Sequence, residues 1–162
     1  MQILPEAPRD REAIFALTQD AFKDHPHSQG TEGRIIGALR EAGALTLSLA
    51  AWEDGNIVGH IAFSPVTVSD GSSDWYGLGP MAVRPDRQGR GIGAALLREG
   101  LARLRALGAA GCVVLGDPGY YGRFGFAQAG LKYPGAPPEY FMALAFTRPA
   151  QGEVAYHAAF SA

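Results

Sequence analysis

With 162 residues and 17.1 kDa, the chain has the usual length of one domain, and we expect residues 1–162 to form a single domain. Its 47% hydrophobic residues suffice for an ordinary core, and its net charge of −2 argues against nucleic acid or an anionic membrane as a partner. The single cysteine, Cys112, cannot form an internal disulfide, and no basic, apolar leader follows Met1. We therefore expect a cytoplasmic protein without membrane insertion.

The first third of the chain predicts one strand and two helices. Residues 2–4 favour a short strand, and apolar residues at helical spacing then predict an amphipathic helix that ends near Phe22. The polar segment 25–30 interrupts this pattern. A second helix follows, which Thr31 can cap at its amino end and Gly43 can terminate.

An antiparallel meander is predicted next. Residues 45–51 alternate between apolar and polar side chains, and after the turn at residues 53–56 a second apolar run covers residues 57–63. Residues 65–68 extend this second strand. A polar turn then leads to a third strand at residues 75–83, so we expect three adjacent antiparallel strands.

The rest of the chain alternates between helix and strand patterns. A glycine-rich turn at residues 88–93 opens the longest helix, which Gly108 ends. The apolar run 112–115 is typical of a buried central strand, and Asp117 and Pro118 favour the start of a short helix. Two more strands are predicted near the carboxyl end, at residues 140–146 and 154–160.

The glycine-rich turn is the first feature that indicates chemistry. Gly89, Gly91 and Gly93 allow a tight turn between a strand and a helix, with backbone N–H groups and the positive helix terminus available to a phosphate. A P-loop would need Lys and Ser or Thr after the last glycine, but Ala94 and Ala95 follow it. A Rossmann motif would need a parallel βαβ unit at this point. The turn therefore indicates a different diphosphate ligand, although a purely structural turn remains an alternative.

Residues 78–97 resemble the acetyl-coenzyme A motif of the GNAT superfamily of N-acetyltransferases, Arg/Gln-x-x-Gly-x-Gly/Ala, with Gln88, Gly91 and Gly93 in matching positions. Residues 116–126 resemble the later Tyr-x-x-x-Gly-Phe segment of this family. The sequence of this second segment is most similar to that of the YhbS-like branch of the family. Two motifs at the correct spacing are more specific than one.

The resemblance implies an α/β (α+β) fold, with a mixed, mostly antiparallel sheet of six or seven strands flanked by about four helices. It also implies acetyl-CoA as cosubstrate, and no metal is expected. The backbone of one strand would pair with the pantetheine arm, and the turn would hold the pyrophosphate. The residues assigned to the cofactor in this way are Met81, Ala82, Val83, Gln88, Gly89, Arg90, Gly91, Ile92, Gly93 and Ala94.

The resemblance further assigns catalysis to Tyr121, as the acid that protonates the leaving thiolate. Tyr120 is adjacent, but a helix would turn it about 100° away. Backbone N–H groups of residues 79–81 are candidates for stabilising the tetrahedral oxyanion. Many relatives carry a Glu on the strand before the turn, whereas residues 74–80 hold none here. Candidates for the base are Glu32, His60 and Asp74.

The expected function is direct transfer of an acetyl group from acetyl-CoA to an amine, either a small molecule or a protein amino group. The alternative is a non-catalytic module that binds or senses acyl-CoA. The donor could also carry a longer acyl group than acetyl, because the space around Met81 and Phe63 determines which acyl groups fit. The strand at residues 154–160 is apolar enough to pair across a homodimer.

Several other residues favour structural roles. Cys112 lies in an apolar run and is expected to be a buried hydrophobic residue rather than a nucleophile. His25 and His27 lie in a polar loop without the spacing of further metal ligands. Arg87, Arg90 and Arg123 are either surface charges or neutralise coenzyme phosphates.

Overall fold

The computed structural model describes residues 1–26 and 28–161. His27, which is predicted to lie in a polar loop, falls outside the described residues. Within the described part the strands are β1 (Gln2–Pro5), β2 (Leu47–Glu53), β3 (Asn56–Val68), β4 (Trp75–Val83), β5 (Gly111–Leu115), β6 (Leu131–Lys132), β7 (Phe141–Ala145) and β8 (Gly152–Tyr156). The α-helices are α1 (Arg11–Phe22), α2 (Glu32–Glu41), α3 (Ile92–Ala106) and α4 (Pro118–Tyr121).

The strands form a mixed sheet in which six lie side by side in the order β1, β2, β3, β4, β5, β7. Neighbours from β1 to β4 are antiparallel, as are β5 and β7, whereas β4 and β5 are parallel. The last strand, β8, pairs with the far end of β3 and with β6. The mostly antiparallel α/β fold expected from the sequence is thereby confirmed.

The predicted antiparallel meander is present. Residues 54 and 55 form the turn between β2 and β3, and both Asp54 and Gly55 have positive φ, as a tight two-residue hairpin requires. Strand β3 continues through Pro65 to Val68 without interruption. Residues 75–83 form β4 as predicted, and their side chains are all buried or half-buried, so neither face of the strand is fully exposed.

Helix α3 packs closely against β3 because two glycines leave room for it. A β-carbon on Gly59 would lie 2.9 Å from side-chain atoms of Ile92 and of Leu96. A β-carbon on Gly100 would collide with the ring of Phe63. The apolar cluster between the helix and the sheet includes Leu49, Ile61, Phe63, Leu96, Leu97, Leu104 and Val114.

Helix α1 covers β3 and β4 on the opposite face. Side chains alternate along β3, so His60 and Ser64 point away from α3, and both are fully buried. Helix α2 packs against α1 and against the turn at residues 158–161. No helix of the described residues is both long and apolar enough to span a membrane.

The structure differs from the expectations in three details. The two-residue strand β6 brings the number of strands to eight, since a strand this short carries no alternation pattern. Thr31 occupies the cap position of α2, but its side chain makes no capping hydrogen bond. Strand β8 ends at Tyr156 and is followed by a short 3₁₀ turn, so it is shorter than predicted. It also pairs with β3 and with β6 within the same molecule. Dimer formation through this strand stays a prediction.

Candidate active site

A split in the sheet between β4 and β5 creates the candidate cleft. The two parallel strands pair only from Trp75 to Gly77 of β4, opposite residues 111–113 of β5. Beyond Gly77, in the described part of the chain, β4 pairs with β3 alone, so its other edge is open from Leu78 to Val83. Unpaired backbone N–H and C=O groups along an open edge can hydrogen-bond to an extended ligand.

The predicted pantetheine residues lie along this open edge. Met81 and Val83 are half-buried and pack against the α3 cluster, whereas Ala82 is buried and lies opposite His60 of β3. A β-bulge precedes them, because Ile61 pairs with Met81 while Phe63 pairs with Leu78. Bulges turn backbone groups away from the ladder. The split and the bulge thus coincide at residues 79–81, where the oxyanion donor is expected.

The glycine-rich turn connects β4 to α3 at the mouth of the split. Gly89 and Gly91 have φ of 79° and 83°, a left-handed conformation that side chains other than glycine rarely adopt. The side-chain amide of Gln88 donates to the carbonyl oxygen of Val83 at 3.1 Å and closes the turn. Arg90 is exposed, while Ile92 is buried at the first position of α3, and Gly93 and Ala94 follow half-buried in its first turn. The predicted pyrophosphate residues therefore surround the amino end of α3.

Helix α4 brings two tyrosines to the other side of the cleft. The Asp117 carboxylate accepts a hydrogen bond from the Gly119 N–H at 3.0 Å, which confirms its predicted role as helix cap. The rings of Tyr120 and Tyr121 meet edge to face with centroids 5.1 Å apart. They consequently point in different directions, as their adjacent positions in a helix require.

Tyr121 lies deep at the carboxyl end of β5. Its ring fills the space beside Gly116 and packs edge to face against Phe126, with centroids 6.0 Å apart. Burial, with smaller contributions from Tyr120 and Cys112, raises the pKa of Tyr121 to about 12. Protonating a thiolate of pKa about 8.5 from this phenol costs about 5 kcal/mol, compared with about 2 kcal/mol for an unperturbed tyrosine. The phenol therefore stays protonated, but it is a weaker acid than its sequence position suggests.

Tyr120 reaches the first turn of α3. Its hydroxyl oxygen lies 3.2 Å from the position that a β-carbon on Gly93 would occupy, with Val83 and Met81 side-chain atoms within 4 Å of the same point. This contact joins α4 to the glycine-rich turn across the cleft. The sequence contains no signal for it, because the two residues lie far apart in the chain and only the fold brings them together.

The three arginines that the sequence offers to coenzyme phosphates have different surroundings. Arg87 pairs with Glu53 at 3.4 Å and with Asp86 at 3.8 Å. Arg90 is exposed, and Arg123 stacks on the Tyr120 ring, its guanidinium carbon 4.8 Å from the ring centroid. Arg87 is thus largely neutralised by protein carboxylates, while Arg123 lies beside the cleft.

His60, one of the candidate bases, belongs to a buried hydrogen-bonded chain. Its Nε2 lies 2.7 Å from the Ser48 hydroxyl, which also contacts the Glu6 carboxylate. Arg40 donates to Glu6 at 2.8 and 3.0 Å. Burial, together with Arg40 and against the opposing effect of Glu6, lowers the pKa of His60 to about 4. His60 is therefore neutral near pH 7.

The charges of Glu6 and Arg40 determine where the protons lie in this chain of hydrogen bonds. Burial alone would raise the pKa of Glu6, but hydrogen bonds from Arg40 and Ser48 lower it below its ordinary value, so Glu6 is ionised. The single Ser48 proton then goes to the carboxylate, and His60 Nε2 carries the proton that it donates to Ser48. His60 Nδ1 is left as a buried acceptor that has no partner among the described residues.

The other candidate bases lie elsewhere. Asp74 precedes β4 at the end away from the open edge, and its side chain is exposed. Glu32 lies in the first turn of α2 and accepts a hydrogen bond from Ser28 at 2.7 Å. Of the three, His60 is the one on a strand that pairs directly with β4, although it is completely buried.

Comparison with known proteins identifies the family of this protein. The model of the Acetyltransferase (GNAT) family matches residues 11–126, a segment that contains the open edge, the glycine turn and both tyrosines. A curated relative from Escherichia coli K12, named uncharacterized N-acetyltransferase YhbS, is 41% identical over 130 residues, which are 80% of this chain and 75% of the relative.

Solved structures agree with this relationship. A GNAT family acetyltransferase from Brucella melitensis, in complex with acetyl-CoA, is 54% identical and has a TM-score of 0.89, with 98% of this chain and 97% of that chain covered. The structure of Escherichia coli YhbS in complex with CoA is 36% identical, has a TM-score of 0.89, and covers 99% of this chain and 92% of its own. The chain belongs to the GNAT family of acetyltransferases.

Proposed function

We propose that this protein transfers the acetyl group of acetyl-CoA directly to an amine in a ternary complex. The observation that carries the proposal is the split of the sheet after Gly77, which opens the edge of β4 beside the amino end of α3. An extended amide-containing arm and a pyrophosphate need these two features next to each other. The related Brucella melitensis and Escherichia coli structures contain acetyl-CoA and CoA, respectively, which supports this choice of ligand.

In the proposed complex, Met81, Ala82 and Val83 pair through their backbone with the pantetheine arm. Backbone N–H groups from Gln88 to Ala94 hold the pyrophosphate, with the positive end of the α3 dipole adding to the attraction. Gln88 also keeps the turn closed through its hydrogen bond to Val83. Arg90 contributes through its backbone. No lysine is required, because the turn and the helix terminus supply the N–H donors.

The reaction begins when the amine nitrogen attacks the thioester carbonyl carbon, and it ends when the carbon–sulfur bond breaks. The tetrahedral oxyanion needs a donor near residues 79–81, where Pro80 has no N–H and the N–H groups of Gly79 and Met81 flank it. The sulfur leaves as a thiolate and takes a proton from Tyr121, the proposed donor, and the second proton that the nitrogen releases as the amide forms restores the phenol. The amine must lose its proton, at a cost of about 4.6 kcal/mol for an alkyl ammonium at pH 7. One of the three candidate bases accepts it through water, and of these His60 lies on the strand that pairs with β4.

The acceptor is an amine of either a small molecule or a protein. Its entry is expected from the α1 face, because the coenzyme cleft is bordered by α3 and α4 on the other face. The buried hydrogen-bonded chain of His60, Ser48 and Glu6 lies on this α1 face. A depression of about 320 Å³ beside this hydrogen-bonded chain is lined by Glu6, Arg40 and Ser48, with Arg103 of α3 at its border, and by none of the proposed coenzyme residues.

The first test is calorimetric titration of the protein with acetyl-CoA. Gly91→Glu places a carboxylate at the pyrophosphate seat and should abolish micromolar binding. The matched control is Gly71→Glu, since Gly71 has a φ of 85° and equally open surroundings but lies in the turn between β3 and β4. The control should bind normally, which separates backbone strain from loss of the site.

The second stage of this test is turnover of acetyl-CoA with a panel of amines. Formation of free thiol that depends on both an amine and an intact turn would support the transferase. Tight binding without any turnover would instead favour an acyl-CoA binding module. Absence of binding by the unmodified protein would refute the proposed function as a whole.

A further inference from the structure

Two arginine side chains converge on the ring of Phe124 beside the cleft. The guanidinium carbon of Arg98, from the exposed side of α3, lies 5.2 Å from the ring centroid. The guanidinium carbon of Arg123, from the turn after α4, lies 5.7 Å from the same centroid. Cation–π contact with a shared ring places two positive charges from different parts of the chain on one small patch.

This patch has no counter-charge of its own. Within residues 1–26 and 28–161, neither Arg98 nor Arg123 forms an ion pair with a carboxylate, although both are exposed. By contrast, Arg103, five residues further along α3, forms an ion pair with Glu99 at 2.9 Å. Two converging cations repel each other unless an anion lies between or beside them. The arrangement therefore suits an anionic ligand.

The patch lies next to the proposed pyrophosphate seat. Arg123 stacks on Tyr120, and the Tyr120 hydroxyl contacts the first turn of α3 at Gly93. One aromatic ring thus separates the Arg123 guanidinium from the glycine turn. The rings of Tyr120 and Phe124 are themselves in contact, with centroids 5.4 Å apart, so the whole patch forms one rim of the cleft.

We propose that Arg98 and Arg123 bind the 3′-phosphate of coenzyme A. This phosphate monoester is attached to the same ribose that carries the pyrophosphate at its 5′ position, so a ligand with its pyrophosphate at the turn brings a second phosphate close to the patch. A dianionic monoester matches two guanidinium groups, each of which presents several N–H donors in a plane. The inference rests on the coenzyme site proposed above and adds a determinant of its specificity.

The aromatic rings prepare the arginines for this contact. Stacking restricts the long side chains to a few rotamers, and the Nε of Arg123 also donates to the Tyr120 carbonyl oxygen at 3.5 Å, which leaves its terminal N–H groups to face a ligand. Less side-chain entropy is then lost when the phosphate binds. The patch distinguishes coenzyme A from its 3′-dephospho form.

The test is calorimetric titration with acetyl-CoA and with acetyl-3′-dephospho-CoA. The unmodified protein should bind acetyl-CoA at least about tenfold more tightly, the effect expected of one charge-assisted phosphate contact. The double variant Arg98→Gln, Arg123→Gln should bind acetyl-CoA about tenfold more weakly and show no preference between the two ligands. Its affinity for the dephospho ligand should be unchanged.

The matched control is Arg105→Gln. Arg105 lies on the same helix and stacks on Phe146 at 4.5 Å, but it is near the carboxyl end of α3 and away from the glycine turn. This variant removes one positive charge and one cation–π contact, and it should keep the full preference. Thermal unfolding of each variant shows whether the fold is retained.

Equal binding of the two ligands by the unmodified protein would overturn the proposal. So would a double variant that retains the preference, or one that loses the same affinity for both ligands, since the latter indicates a general effect of charge. If neither ligand binds to the unmodified protein, the coenzyme site itself fails and this inference fails with it. Binding of both ligands without preference refutes the arginine role alone.

Discussion

Tyr120 and Gly93 meet across the cleft, with the tyrosine hydroxyl 3.2 Å from the place where a β-carbon on the glycine would lie. Gly93 stands in the first turn of α3, where the pyrophosphate is proposed to bind, and Tyr120 belongs to α4. The width of the cleft at this point is therefore set by the missing side chain of Gly93.

We expect Gly93→Ala to weaken acetyl-CoA binding without destabilising the fold. The new methyl group would crowd the Tyr120 hydroxyl and narrow the cleft, so affinity should fall by about tenfold. Alanine favours helix over glycine by up to about 1 kcal/mol, which offsets the crowding in the folded protein. Calorimetry and thermal unfolding measure the two effects separately.

Gly37→Ala provides the control for this variant. Gly37 lies in α2, and a β-carbon there would meet no atom within 4 Å. The control should raise stability slightly and leave coenzyme binding unchanged. If Gly93→Ala binds acetyl-CoA as tightly as the control does, the contact with Tyr120 does not limit the cleft.

The acid role of Tyr121 predicts a specific kinetic pattern. Tyr121→Phe should lower kcat by roughly 100-fold, within the usual range for loss of a general acid, and leave the Kd of acetyl-CoA unchanged. Tyr120→Phe should mainly change coenzyme affinity, because its hydroxyl lies at the first turn of α3. The reverse pattern would assign the acid role to Tyr120.

The pH dependence of this step follows from burial. Because burial raises the pKa of Tyr121 to about 12, the phenol keeps its proton throughout the ordinary assay range. The rate with wild-type protein should consequently show no decline from tyrosine ionisation up to about pH 10. A decline with an apparent pKa near 9 that disappears in Tyr121→Phe would contradict the assignment.

His60 should make the protein sensitive to acid. Its folded pKa of about 4 lies below the ordinary 6.5, so between these values the unfolded chain binds a proton that the folded protein does not. Stability should therefore be complete above about pH 6.5 and fall as the pH drops towards 4. The shift corresponds to a loss on the order of 3 kcal/mol.

A variant isolates this contribution. His60→Gln removes the titrating group, so the slope of unfolding free energy against pH between 4 and 6.5 should become smaller than in the unmodified protein. Denaturant unfolding at several pH values measures it. Glu6, whose pKa is lowered, adds to the slope only as the pH falls through its ordinary value of 4.5, so the upper part of this window reports His60 without it. Parallel slopes in both proteins would show that His60 is not the sensitive group.

The contact between Gly100 and Phe63 should be essential for packing α3 on the sheet. Gly100→Ala places a methyl group against the Phe63 ring, and overpacking of this kind usually destabilises by 1–3 kcal/mol, so we expect about 2 kcal/mol. Adding Phe63→Leu removes the ring atoms that clash and should recover part of the loss. Denaturant unfolding of both single variants and the double variant checks this coupling, and purely additive effects would contradict it.

Much of the fold was readable from local pattern. Strand β2 alternates in hydrophobicity, β3 follows as an apolar run, and turn residues separate β2, β3 and β4, so their antiparallel order followed directly. Short elements were harder, because β6 has two residues and its pairing with β8 comes from distant sequence. Their existence depends on partners rather than on their own composition.

The sequence by itself determined the glycine turn, the helix it opens and the tyrosine segment, because each is a local pattern of backbone freedom, capping and apolar spacing. Only the tertiary structure decided that β4 and β5 separate after Gly77, that Tyr120 reaches Gly93, and that Arg98 and Arg123 share the ring of Phe124. Such contacts join residues distant in the chain, and they depend on how whole elements pack, which no local pattern encodes.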